Sequence, residues 1–305
     1  MIMQKIIPHL WFDTQAKEAA EFYSAVFPNS KVTNIITLHN TPSGDCDLVS
    51  FEVMSYGFMC MSAGPIFKTN PSMSFMVNFD PTQMGDAKNT LNSSWEKLIE
   101  GGKIMMPLDK YPFSEHYGWV EDKFGVSWQL MLTDPSGEQR PSIIPSIMFV
   151  GANYGKAQEA TDFYMSVFKN SKRGTIATYP AGMEPDIEGK LMFTDFTLEE
   201  QWFAAMDSAQ PHNFQFTEGN SLIINCETQE EMDYYWDKLT AVPESEQCGW
   251  LKDRYGLSWQ INSIEMNNML KEGTREQIDR VTQAFLPMKR LDLSKIRDAY
   301  EGKHI

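Results

Sequence analysis

Glu115 and His116 open the run Glu115-His116-Tyr117-Gly118-Trp119, and Trp128-Gln129 follow shortly after. A carboxylate and an imidazole that share a cleft can act as general base and general acid once burial brings their pKa values toward neutrality. On a strand the side chains alternate, so Trp119 shares a side with Tyr117 while His116 and Gly118 face the other way. An exposed turn would instead leave Glu115 and His116 solvated and without that role. Later in the chain the matching run reads Glu246-Gln247-Cys248, so the imidazole is absent there. The tryptophans come in pairs, Trp119 with Trp250 and Trp128 with Trp259. Such rings suit a core, but a curled sheet lined by aromatics and methionines also holds a flat or apolar ligand. Met59, Met61, Met73, Met76, Met105, Met106 and Met131 all fall on strand-like segments of the first half.

The elements that must position these residues are written twice. Residues 6–12, IIPHLWF, return at 143–149 as IIPSIMF; residues 16–31, AKEAAEFYSAVFPNSK, return at 157–172 as AQEATDFYMSVFKNSK; residues 118–129, GWVEDKFGVSWQ, return at 249–260 as GWLKDRYGLSWQ. More than half of these positions are identical and their order is kept, so the chain is a tandem duplication with its boundary near Asp134–Ser142. In the first half an apolar run at 6–12 predicts a buried strand. Apolar residues at 19, 22, 23, 26 and 27 predict one helix face, stopped by Pro28-Asn29. Strands are expected near 31–39, 47–54 and 58–62, and the scheme then restarts: strand 73–79, helix 86–100, strands 103–107, 116–121 and 126–132. Each half is therefore strand-helix-strand-strand-strand twice over, and one such unit cannot cover its own sheet, so units must pair.

The second half differs in two places. It gains residues between its first strand and helix, and it lacks the counterpart of GGKIMMPLDK, read as a lost strand and part of a lost wall. Beyond it, Thr274–Phe285 carries apolar residues at 278, 281, 284 and 285 with Thr274 as N-cap, and Ser294–Tyr300 can form a second short helix. This tail is expected to pack over the back of one sheet.

Composition removes several function classes. Lys+Arg 26 against Asp+Glu 41 gives a net charge of −15, which opposes binding to phosphate backbones and anionic lipid. No apolar run approaches the ~20 residues of a membrane-spanning helix, and the N-terminal stretch MIMQKIIPHLWFD lacks the features of a secretory signal. Cys46, Cys60, Cys226 and Cys248 show neither CxxC spacing nor clustering with histidines, so free thiols and a cytoplasmic location are expected. No P-loop, GxSxG, HExxH or EF-hand pattern occurs. Gly101-Gly102 follows a helix and precedes a strand, the reverse of a nucleotide-binding turn, so methyl transfer is not expected from the motifs.

The A-x-E-A-x-x-F-Y-x-x-V-F helix, the W-x-K-L helix end (Trp95–Leu98, Trp236–Leu239) and the G-W-x-x-D-x-x-G-x-S-W-Q ending resemble the vicinal-oxygen-chelate superfamily. Within it the chain is similar to the PhnB-like group, whose members carry the label 3-demethylubiquinone-9 3-methyltransferase. The superfamily contains glyoxalase I, extradiol dioxygenases, fosfomycin-modifying enzymes and bleomycin-sequestering proteins, so the resemblance does not choose an activity. In its metal-using members the ligands come from the first and last strands of each unit. Carried onto the first half, those positions are His9, Ser74 and Gln129, with a fourth near Met61-Ser62; in the second half they are Ser146, Ser221 and Gln260. A divalent cation wants three or four His/Glu/Asp ligands, so His9 and Gln129 are a thin metal set and no cofactor is assigned.

The expected architecture is α+β: two tandem glyoxalase/bleomycin-resistance-like domains, residues 1–135 and 140–265, each of paired βαβββ units with curled mixed sheets, plus C-terminal helices at 266–305. The resemblance implies a monomer resembling a fused dimer, or a homodimer. The expected function is binding of a small organic ligand in a first-half cleft by His9, Ser74, Trp119 and Gln129, with Glu115 and His116 as the candidate acid–base pair. The alternatives are a metal-dependent lyase, isomerase or transferase, and a drug-sequestering protein without turnover. Neither nucleic acid nor membrane is an expected partner.

Overall fold

A computed structural model describes residues 4–303. Met1–Met3, part of the N-terminal stretch read above, lie outside the described residues. The first unit comprises β1 (Ile6–Phe12), α1 (Ala16–Val26), β2 (Lys31–Thr41), β3 (Gly44–Val53) and β4 (Tyr56–Ser62). The second has β5 (Met73–Phe79), α2 (Ala87–Ile99), β6 (Lys103–Tyr111), β7 (Ser114–Glu121) and β8 (Ser127–Leu132). The third has β9 (Ile143–Val150), α3 (Ala157–Val167), β10 (Lys172–Thr178), β11 (Leu191–Leu198) and β12 (Gln201–Ser208). The fourth is short, with β13 (Asn220–Cys226), α4 (Gln229–Leu239), β14 (Trp250–Lys252) and β15 (Ser258–Ser263). The tail forms α5 (Ile264–Glu272), α6 (Arg275–Phe285) and α7 (Leu293–Glu301). None of the described helices is long and apolar enough to cross a membrane.

The repeat is visible in the packing. α1 buries Ala16, Ala19, Ala20, Tyr23 and Val26, and α3 buries Ala157, Ala160, Thr161, Tyr164 and Val167, the same helical stripe. The small residues let each helix lie close on its sheet, and Asn29 and Asn170 end the two turns at φ 51° and 50°, a left-handed conformation that asparagine tolerates. Strands β5, β9 and β13 are buried along their whole length, which fits central positions in a sheet.

The units do pair, but across the halves and not within each half as expected. The seven-stranded sheet has the order β14-β15-β13-β1-β4-β3-β2, so it joins the first unit to the fourth. The eight-stranded sheet, β10-β11-β12-β9-β5-β8-β7-β6, joins the second to the third. At the centre of each sheet two first strands meet antiparallel: β1 with β13, placing His9 opposite Ser221, and β5 with β9, placing Ser74 opposite Ser146. Within each unit the first and last strands are parallel. α1 and α4 pack on one face of the seven-stranded sheet and α2 and α3 on one face of the eight-stranded sheet; the opposite face of each, its trough, carries His9 in the first and Gln129 in the second.

The missing strand of the fourth unit is the counterpart of β6. The expected lost wall is corrected, because the tail returns there. Cys248 N–H donates to the Met288 carbonyl at 2.7 Å and Gly249 N–H to that of Lys289 at 2.8 Å. Gly249 has φ 84° and a Cβ on it would lie 2.8 Å from the Ile261 carbonyl oxygen and 3.2 Å from Leu291, so only glycine lets the tail and β15 close on this turn. Leu291 is 2% exposed in this contact. Leu291→Ala is expected to destabilise the chain by about 2 kcal/mol, read as a lower urea midpoint at unchanged m-value.

The tail also departs from its expected place on a sheet's back. Asn267 of α5 accepts from Asn262 Nδ2 at 3.0 Å and donates to Asn225 Oδ1 at 3.2 Å, and both partners point to the trough face of the seven-stranded sheet. α5 and α6 then reach β2 at the opposite edge of that sheet. Thr274 caps α6 in a reciprocal capping box with Gln277, as its position suggested. α5 was not expected: it starts directly at the end of β15, on a Ser263 cap.

Candidate functional site

His9 stands on the trough face at the middle of the seven-stranded sheet, 1% exposed. Its Nδ1 lies 3.3 Å from Ser221 Oγ, and Gln260 Nε2 donates to the same oxygen at 3.0 Å. With its oxygen accepting from the amide, the Ser221 hydroxyl can donate to Nδ1, and in that tautomer the ring proton sits on Nε2. Burial lowers the His9 pKa to about 3, so the imidazole is neutral at physiological pH. Around it, Trp250 meets the ring edge-on with centroids 5.4 Å apart, Trp11 lies 6.0 Å from Trp250, and Phe67 lies 5.1 Å from Trp11. Met59 is the neighbour of His9 on β4. The trough therefore offers one neutral donor ringed by aromatic and thioether surface.

The eight-stranded sheet carries a related floor without a histidine. Gln129 Nε2 donates to Ser74 Oγ at 2.7 Å, Tyr117 Oη donates to Gln129 Oε1 at 2.7 Å, and Trp119 Nε1 donates to Ser127 Oγ at 2.7 Å. Ser146 Oγ, opposite Ser74, is buried with no partner. Met76, Ile144 and Ala204 form a small apolar cluster here, with Met131, Phe193 and Trp202 packed against it. The Arg140 guanidinium lies 4.0 Å above the Trp202 ring and bonds Asp195 Oδ2 at 3.1 Å.

The expected first-half cleft is thus divided. His9 belongs to one trough and Ser74, Trp119 and Gln129 to the other, because each first strand pairs with a first strand of the opposite half. His9 meets Ser221, which in turn accepts from Gln260, and both are residues of the second half. The sequence named both positions, and only the cross-half pairing of β1 with β13 puts them beside the imidazole.

Glu115 and His116 are not brought together in either trough. Glu115 lies in the solvent, paired with Lys110 at 2.7 Å. His116 turns to the helix-covered face, where Nε2 is 2.6 Å from Asn92 Oδ1 of α2. Burial and then the Lys88 charge hold its pKa below the usual value. Gly118 shares that face, and a Cβ on it would stand 2.6 Å from the Trp95 ring. Of the tryptophan pairs, Trp128 and Trp259 are fully buried in the core, whereas Trp119 and Trp250 face the troughs. The methionines divide too: Met59 and Met61 belong to the seven-stranded trough, Met76 and Met131 to the other.

A divalent metal is what the superfamily resemblance implies, and the donors here do not fit one. Among the described residues no three His, Cys, Asp or Glu side chains form a metal-holding group. His9 and Gln129, the expected pair, lie on different sheets. In the seven-stranded trough one imidazole and one amide stand with a hydroxyl that already joins them. S-adenosylmethionine, implied by the methyltransferase label, fits no better: Gly101-Gly102 joins α2 to β6, helix to strand.

A family profile described as 3-demethylubiquinone-9 3-methyltransferase matches residues 4–131 and again 141–262. Among solved structures, a PhnB protein from Bacillus cereus is 34% identical over 43% of this chain and 100% of its own, with a TM-score of 0.38. Glyoxalase I from Zea mays aligns over 88% of this chain and 98% of its own at 9% identity and a TM-score of 0.54, a likeness of fold. No curated protein matches the chain.

Proposed function

Since the chain belongs to the family described as 3-demethylubiquinone-9 3-methyltransferase, in two tandem copies on a glyoxalase-like fold, we propose that it binds a small uncharged organic molecule in the trough of the seven-stranded sheet. The family label supplies only the premise; the trough supplies the ligand chemistry. The observation that carries the reading is the buried neutral His9, oriented by Ser221 and Gln260 so that Nε2–H is its remaining donor. A buried donor surrounded by aromatic rings selects a ligand with an acceptor oxygen or nitrogen and apolar flanks. A charged ligand would have to shed its hydration with no opposite charge from His9 to offset the loss.

The setting proposed for this activity is the cytoplasm, with a small molecule and neither nucleic acid nor membrane as partner. The net charge of −15 and four free cysteines support that setting. The sheets built across the halves support a single chain acting as a fused dimer.

A thermal-shift panel of uncharged carbonyl-bearing aromatic compounds tests the proposal on the full chain. At least one compound should raise the melting temperature, and His9→Ala should abolish the rise. A rise that survives His9→Ala, or a panel with no rise at all, overturns the reading. Stoichiometric divalent metal in the purified protein, lost on His9→Ala, would favour the metal-dependent alternative instead.

A further inference from the structure

Trp119 and Trp250 occupy the same place in the repeat, and so do Ser127 and Ser258. In the eight-stranded sheet Trp119 Nε1 donates to Ser127 Oγ at 2.7 Å. β6 backs that arrangement: Met106 stands beside Trp119 in register, and Met105 Sδ lies 4.0 Å from Ser127 Oγ. The seven-stranded sheet lacks the counterpart of β6, and its tryptophan sits differently. Among the described residues Trp250, half-buried, makes no such bond and its Nε1 is not among the buried unpaired atoms, whereas Ser258 Oγ is buried without a partner. The indole lies instead in the trough, edge-on to His9 at 5.4 Å and 6.0 Å from Trp11.

We propose that Trp250 is a two-position plug, filling the trough against His9 when no ligand is present and swinging to donate to Ser258 when a flat, uncharged aromatic molecule takes its place. The inference rests on the reading of this trough as the ligand site. Each position of the indole satisfies what the other leaves open. Against His9 it gains ring contacts and leaves the Ser258 hydroxyl buried and unpaired, its own N–H being open to water; against Ser258 it pairs that hydroxyl and bares the imidazole. Two states with compensating contacts lie close in free energy, so a ligand that binds only the open one shifts the population. The ligand class follows from the group it replaces. It must present a planar apolar ring to His9 and Trp11, as the indole does, and an acceptor to His9 Nε2–H, which the indole cannot supply.

Fluorine NMR on the full chain labelled with 5-fluorotryptophan tests this, with chromone as a flat, uncharged probe bearing a carbonyl acceptor. The Trp250 signal is assigned by its loss in Trp250→Phe. Chromone should move that signal. Ser258→Ala should weaken chromone binding about five-fold or more while leaving the melting temperature unchanged or higher. Ser127→Ala, which breaks a formed bond, should lower it. Trp250→Ala should bind chromone more tightly, having no plug to displace; should that variant melt early, Ser258→Ala and the fluorine signal decide the matter. If chromone binds and His9→Ala weakens it, yet the Trp250 signal stays still or Ser258→Ala changes nothing, the plug is wrong and the ligand site stands. If neither the unsubstituted chain nor Trp250→Ala binds chromone, or if binding ignores His9→Ala, the ligand site falls and the plug with it.

Discussion

Asp253→Ala should destabilise the protein by about 4 kcal/mol, the loss expected when one buried acceptor leaves several donors unpaired. The carboxylate is fully buried. Its Oδ2 accepts from Tyr164 Oη at 2.8 Å and Trp259 Nε1 at 2.9 Å, and its Oδ1 from the N–H groups of Tyr255 at 2.8 Å and Leu257 at 3.1 Å. These bonds tie the turn before β15 to α3 and to the central tryptophan of the core. Burial raises the Asp253 pKa, and its donors oppose that rise. A carboxyl with a raised folded pKa contributes stability below the unfolded pKa, and that contribution is lost as pH rises toward the folded one. The deficit of Asp253→Ala relative to the unsubstituted chain should therefore be largest in mild acid. Urea melts at two pH values measure it; an equal or smaller deficit in acid contradicts the account.

His9→Asn should remove about 2.5 kcal/mol of acid sensitivity between roughly pH 7 and 4.5. The folded imidazole resists protonation until about pH 3, held there by burial. The unfolded chain takes up the proton near the ordinary histidine value of about 6.5. Stability present above that value is therefore lost as pH falls through the window between the two. Asparagine places an oxygen where Nδ1 meets the Ser221 hydroxyl, so it keeps the internal hydrogen bond and removes the titration. The difference between the two stability–pH curves isolates His9 from His116 and His212, whose pKa values burial also lowers. Parallel curves would mean that water reaches the imidazole and that the trough is not the dry site proposed.

The elements were largely legible because the repeat states them twice. The α1 stripe and its stop at Pro28-Asn29, the loss of a strand after α4, and the Thr274 cap all come from local patterns that the structure reproduces. Pairing was not legible. Periodicity fixes which face of β1 is apolar, and says nothing of whether β1 meets β5 or β13, since both are buried first strands of the same kind. That choice separates His9 from Gln129 and gives it Ser221. The G-W-x-x-D-x-x-G-x-S-W-Q ending also reads as a site motif while much of it is structural. Asp122 accepts from the Phe124 and Val126 N–H groups and from Trp128 Nε1, as Asp253 does in the second copy. The return of the tail to β14 escaped for a related reason: Met288 and Lys289 act there through backbone carbonyls, which leave no trace in residue type.

Building each sheet from one unit of each half also dictates an order of events in time. The eight-stranded sheet uses residues 73–208, one continuous stretch, and can assemble as soon as that stretch has left the ribosome. The seven-stranded sheet must bring β1 to β13, with His9 and Ser221 separated by 212 residues, so the first unit waits with β1 unpaired at its open edge. Closing so long a loop is slow, and an unpaired central strand is the part of a nascent chain most open to wrong partners. The trough around His9 is thus completed only after the eight-stranded sheet: synthesis can stop short of β13 and still leave one finished sheet, but no pairing of His9 with Ser221.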